Sequence, residues 1–176
     1  GLEAKRLCVT LNLFTMNYQD FRNLAKAIEM IDIDVMGYYP KTLTVSESVL
    51  GDDEKQQGVL LIDISDDSTE LILWKNGTLN ATRCLEFGSR KLSAEVASKW
   101  NINILDAERS IKQYGDLNQD ESFADEIITI VECNDHHQIQ IKKNEFQNSF
   151  REVTYEWLAK IMNSADNFVD EHRVIY

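Results

Sequence analysis

The period of hydrophobic and polar positions changes several times along this chain, and each change predicts an element. Leu7, Val9, Leu11 and Leu13 alternate with polar residues, so Lys5 to Phe14 is predicted as a strand. From Tyr18 to Ile31 the apolar positions are Phe21, Leu24, Ala25, Ile28 and Ile31, a helical stripe beneath a face of mixed charge. Ile33 to Tyr39 is a short apolar run before Pro40 and is predicted as a strand. Thr42 to Leu50 reads as a helix, and Gly51 to Gly58 as a polar exposed loop. Three strands follow at about 58–64, 69–75 and 78–86. The last two are joined by Asn76-Gly77, a hairpin pair because both turn positions take positive φ.

Gly88 precedes a helix, Lys91 to Trp100, with Leu92, Val96, Ala97 and Trp100 inward. A second helix, Leu105 to Tyr114, stops at Gly115. Asp116 to Glu121 is a solvated loop. Ile127 to Val131 and Ile139 to Ile141 flank Asn134-Asp135 as another hairpin. Asn144 to Phe168 carries Phe146, Phe150, Val153, Trp157, Leu158 and Ile161 at helical spacing, and residues 172–176 read as the start of a further strand. The stripes Phe21/Leu24/Ile28 and Phe146/Phe150/Val153/Trp157/Ile161 are expected in the core. Trp74 fits either core or an exposed anchor.

Composition narrows the partners. With 176 residues the chain makes one ordinary domain or two small ones. Its net charge of −12 repels phosphate backbones and anionic lipid, which argues against nucleic acid and favours a basic or neutral protein partner. The three cysteines, Cys8, Cys84 and Cys133, are odd in number and far apart, so no disulfide framework follows and a reducing compartment is the simpler expectation. No apolar run approaches the ~20 residues of a membrane span. The chain opens directly on a strand pattern, which reads as a piece of a longer protein.

The most informative stretch is Gly58 to Gly88: strand, tight turn, strand, Asn-Gly turn, strand, with Asp63 ending the first apolar run. Order and content here and beyond resemble the FtsA bacterial cell-division proteins of the actin/Hsp70 superfamily. The residues carrying the likeness are Gly58-Val59-Leu60-Leu61-Ile62-Asp63-Ile64, Gly77, Gly88, Ala107-Glu108, Tyr114-Gly115, and Ile141 to Glu145 opening the last helix.

The resemblance implies an α/β, actin-like ATPase fold, with a ribonuclease H-like mixed sheet and flanking helices. Residues 1–33 would end an inserted small domain of the SHS2 type. Residues 34–57 would return to the first actin-like half, 58–100 would be the core of the second half, and 101–176 its outer subdomain with the start of a returning core strand. It also implies a cytoplasmic scaffold at the inner face of the bacterial membrane. Such a scaffold polymerises, and it binds the C-terminal tail of a tubulin-like ring protein through the outer subdomain. Its membrane anchor would be a segment outside this chain. The partner-facing candidates are Lys142, Lys143, Glu145, Asn148 and Glu156. A pilus-assembly scaffold of the same superfamily shares the hairpin and the inserted domain.

The implied cofactor is Mg-ATP, held by a full-length protein and not by this chain alone. Its contacts would fall on Asp63 (through the metal), Ser65, Asp66, Asp67, Ser68, Thr69, Gly88, Glu108 and Lys112. This sequence departs from the family at those places. Where the family has Asp-Ile-Gly-Gly-Gly-Thr, this chain has Asp63-Ile64-Ser65-Asp66-Asp67-Ser68. Glycines let backbone N–H groups close on phosphate oxygens, whereas two carboxylates repel them. The family's ribose-holding Glu and Lys lie three apart; here the partner position, three on from Glu108, is Ile111, and Lys112 is one further round. The family's partner-contacting Arg on the last helix is matched by Val153. These departures predict weakened or lost ATP binding.

Two other readings compete for the same residues. Asp63-Ile64-Ser65-Asp66-Asp67 fits an Asp-x-Ser-x-acid cation site, but that site needs a helix to follow, and Glu70 to Lys75 reads as a strand. The loop also stands as a plain tight turn, since Ser and Asp bond their own backbone. Cys133, His136 and His137 have loose metal-ligand spacing at a hairpin tip.

Overall fold

The computed structural model describes residues 8, 11, 13–118, 126–131 and 138–172. Six helices and five strands are described: α1 (Tyr18–Glu29), α2 (Lys41–Val49), α3 (Asp52–Gln57), β1 (Val59–Ile64), β2 (Thr69–Lys75), β3 (Thr78–Leu85), α4 (Ser89–Trp100), α5 (Ile104–Tyr114), β4 (Ile127–Val131), β5 (Gln138–Lys142) and α6 (Lys143–Glu171). They fall into two compact units, Gly1–Val59 with Trp74–Asn80, and Leu60–Leu73 with Ala81–Tyr176.

One sheet has the order β1-β2-β3. Its connections span four and two residues, which join only antiparallel neighbours. The Asn76-Gly77 turn takes φ of 52° and 72°, the left-handed pair that matches strand twist. The other sheet pairs β4 with β5 antiparallel, Ile128 opposite Ile141 and Ile130 opposite Ile139. Its connection, with Asn134, Asp135, Cys133, His136 and His137, lies outside the described residues.

The long helix α6 organises the larger unit. Phe146, Phe150 and Val153 in its first half pack with Val96, Ala97, Ile102, Ala107, Ile128 and Ile130. Ala165 and Phe168 in its second half pack with Leu71 and the strand residues Leu60, Ile62, Leu73, Ala81 and Leu85. The predicted α6 stripe is therefore core. Asn103 caps α5, its side chain accepting from the Asp106 amide at 2.9 Å.

The smaller unit corrects several expectations. Residues 51–58 are not a loop but contain α3. The Gly51 amide donates to Glu54 Oε2 at 2.8 Å, and three acidic residues occupy the first turn, where the helix dipole favours them. Lys55 on this helix is buried, its Nζ 2.8 Å from Glu47 and 5.2 Å from the centre of the Trp74 ring. Trp74 is thereby core. Residues 33–39 form no strand; Tyr38 instead packs edge-on against Phe21 at 4.6 Å. The described residues of the first predicted strand, Cys8, Leu11, Leu13 and Phe14, are also not strand, and the rest of it lies outside the described residues. Helix α1 forms as expected, with Asn17 as its cap, but none of its residues is fully buried: Phe21, Ala25 and Ile28 are half-buried and Leu24 is exposed.

Candidate functional site

The site grows from the turn between β1 and β2. The Ser65 amide donates to the Ser68 carbonyl at 2.9 Å, closing a tight turn. Thr69 is fully buried, and its hydroxyl donates to the Phe87 carbonyl at 2.9 Å. That bond ties the turn to the end of β3, from which Gly88 leads into α4. A strand, not a helix, follows the turn, so the cation-site reading lacks its strand-to-helix frame. Among the described residues no group of three or more His, Cys, Asp and Glu gathers as a metal would need.

The turn then closes on the first turn of α4. The Ser89 and Arg90 amides donate to the Ser65 and Asp66 carbonyls, each at 2.9 Å, and the Lys91 amide to Gly88 at 3.1 Å. Helix amides at this position ordinarily lack internal partners and attract anions. Here the chain's own carbonyls fill them. Gly88 makes the approach possible, since a Cβ there would lie 2.2 Å from the Ser65 oxygen and 2.5 Å from the Asp66 oxygen. Its φ of −136° is ordinary extended backbone, so the need is for space. Gly88, read from the sequence as a nucleotide contact, lets loop and helix pack this closely.

Arg90 holds the loop's charges. Its Nε and Nη2 donate to Asp66 Oδ2 at 3.1 and 2.6 Å, and Nε lies 3.3 Å from Asp67 Oδ1. The Ser89 hydroxyl adds a longer contact to Asp66 Oδ1 at 3.4 Å. The Asp66 hydrogen bond, then the Asp66 and Asp67 charges, raise the Arg90 pKa above the ordinary guanidinium value. The two carboxylates are therefore partnered, not simply opposed to one another.

Beside this latch lies a cleft of about 560 Å³. Asp66, Ser89 and Arg90 form one wall, and Glu108, Ile111 and Lys112 of α5 another, with Leu92 and Leu105 among its apolar lining. Of the nucleotide candidates, the fold thus brings Asp66, Glu108 and Lys112 together, and Gly88 and Asp67 line an adjoining cleft of about 260 Å³. Asp63, Ser65, Ser68 and Thr69 line neither. Arg90 was missed in sequence. The signal was present as a cation two residues after Gly88, but only the folded loop shows which acids it meets.

The residues fit Mg-ATP poorly on the phosphate side. The amides of Ser65, Ser89, Arg90 and Lys91 are bonded internally, and two carboxylates stand in the loop. On the ribose side Glu108 and Lys112 do share the cleft.

The partner candidates divide as well. Glu145, Asn148 and Glu156 lie on an exposed face of α6 with Tyr155, and Lys142 is exposed. Lys143 is half-buried and paired with Glu126 at 2.6 Å. Asn148 accepts from Arg151 Nη1 at 2.7 Å, and Arg151 also donates to the carbonyls of Asp116 and Asn118. Val153, the position of the family's Arg, is buried in the core and reaches no surface.

The profile of the family described as type IV pilus assembly protein PilM matches residues 19–158. Among individual relatives, the cell division protein FtsA of Bacillus subtilis is 31% identical over 131 residues, 73% of this chain and 30% of that protein. The FtsA of Buchnera aphidicola from Baizongia pistaciae is 30% identical over 74% of this chain and 31% of its own length. The chain thus spans about a third of the length of these relatives. The fold is similar to that of MreB5 of Spiroplasma citri bound to ADP, with a TM-score of 0.59 at 15% identity, covering 86% of this chain and 49% of that one. It is also similar to a chain of the PilM–PilN type IV pilus biogenesis complex, with a TM-score of 0.55 at 18% identity, covering 84% and 36%. These likenesses establish the actin-like fold.

Proposed function

The chain belongs to the family described as type IV pilus assembly protein PilM and is an FtsA-like member of the actin/Hsp70 superfamily, and we propose that it is part of a cell-division scaffold whose nucleotide binding is weak or lost. The observation that carries the reading is the closed loop: the first amides of α4 are bonded to the Ser65 and Asp66 carbonyls, and Asp66 and Asp67 are paired with Arg90. No catalytic role is assigned to any residue. In this reading the full-length protein self-associates into filaments in the cytoplasm. It binds the tail of a tubulin-like division protein through the exposed face of α6 with Glu145, Asn148 and Glu156. It reaches the inner membrane through a segment outside this chain. None of the described helices is long and apolar enough to cross a membrane.

Two further readings each have a specific support. The family match to PilM favours a pilus-assembly scaffold. The presence of Glu108 and Lys112 in one cleft favours a working ATP site completed by segments outside this chain.

Co-sedimentation of the full-length protein with the tubulin-like tail peptide, with and without Mg-ATP, tests the proposal. Binding and assembly independent of nucleotide support it. Assembly only with ATP overturns it in favour of the ATPase, and failure to bind the tail overturns the division role.

A further inference from the structure

Any anion entering this cleft meets four amides that are already bonded. The Ser65 amide is bonded within its own turn, and the amides of Ser89, Arg90 and Lys91 are bonded to carbonyls. At these positions recognition of an anion falls to side chains. Arg90 lines both clefts, as does Asp66, so their ion pair is part of the wall of each. The Arg90 side chain is 57% exposed, and its bonds use Nε and Nη2, leaving Nη1 without a hydrogen bond among the described residues.

The charge count disfavours an anion at this site. The two clefts are lined by four carboxylates, Asp66, Asp67, Glu86 and Glu108, against three cations, Arg90, Lys91 and Lys112. The excess is one negative charge. Without the two loop acids it would be one positive charge.

We propose that Arg90 is a latent binding group for a phosphate-bearing ligand, and that Asp66 and Asp67 are its built-in competitors, standing in for that ligand as an autoinhibitory contact. A planar guanidinium takes a phosphate through two parallel N–H bonds, and the Nε and Nη2 groups that would make them now converge on Asp66 Oδ2. Both acids are more than half exposed, so the latch is a surface one that a stronger or better-placed anion can displace. The inference rests on the reading that phosphate binding is weak in the unaltered protein, and it places the cause in two side chains.

The test is calorimetric titration of inorganic pyrophosphate, at low ionic strength, into the full-length protein and two variants. Asp66→Asn with Asp67→Asn keeps turn-forming side chains while removing both charges. It is expected to bind about tenfold more tightly than the parent, the worth of one or two exposed ion pairs. Adding Arg90→Gln is expected to return affinity to the parent level. No gain in the first variant overturns the proposal, and so does a gain that survives Arg90→Gln. If the double variant does not fold, Asp67→Asn alone leaves the Asp66 bonds intact and is expected to gain about twofold; no gain there overturns it equally. The comparison is between variants of one protein, so it is independent of whether that protein assembles or binds a division partner.

Discussion

Replacing Gly88 by Ala perturbs the contact on which the loop geometry depends. The new methyl would sit 2.2 Å from the Ser65 oxygen, 2.5 Å from the Asp66 oxygen and 2.7 Å from the Asp66 carbonyl carbon. All three neighbours are backbone, so no side chain can rotate aside, and the loop must retreat by roughly an ångström to reach ordinary contact. Retreat strains or breaks the two bonds from the Ser89 and Arg90 amides, each 2.9 Å long. Overpacking costs about 1–3 kcal/mol, and the two weakened bonds add about 1 kcal/mol each. We therefore expect about 3–5 kcal/mol of destabilisation in urea unfolding, with faster amide exchange at Ser89 and Arg90 before any effect on α6. A loss under about 0.5 kcal/mol, the range of a neutral surface change, would refute the reasoning.

Other substitutions probe the two units. Phe146 is fully buried at the centre of the larger core, so Phe146→Ala is expected to cost about 3–5 kcal/mol by chemical denaturation. Val153→Arg, which restores the residue type of the family, places a charge in the same core and is expected to cost at least about 3 kcal/mol, with a fall in soluble yield. Glu47→Ala strips the partner from the buried Lys55 ammonium, whereas Lys55→Met leaves only an exposed Glu47 to rehydrate. Thermal melts should therefore show Glu47→Ala losing about 1–2 kcal/mol and Lys55→Met less than about 1.

Much of the fold was legible because periodicity and turn chemistry are local. The Asn76-Gly77 hairpin, the stripe of α6 and the α4–α5 pair all follow from residues within a few positions of one another. The misses have physical causes of two kinds. Helix α3 was hidden by polarity: its six residues carry no apolar stripe, and a cap from Glu54 with one buried Lys stands in for one. The run at 33–39 and the stripe of α1 carry apolar patterns that the described residues do not pair as a strand or bury fully, and period alone does not show whether a neighbour exists.

The site divides in the same way. The likeness of the hairpin and the loss of its glycines were readable, and the turn itself formed as Ser and Asp chemistry dictates. Sequence showed two acids and inferred repulsion. The fold adds Arg90, 24 residues away from Asp66, which converts the repulsive pair into a latch. Val153 was equally opaque: its place in the family pattern marks a surface role, while its neighbours here are core.

The central claim is that the closed loop leaves this protein with little affinity for nucleotide. Equilibrium titration of Mg-ATP into the full-length protein measures it most directly. The account predicts no saturable binding below about 1 mM, while a dissociation constant of about 1 μM, some 4 kcal/mol tighter, would contradict it.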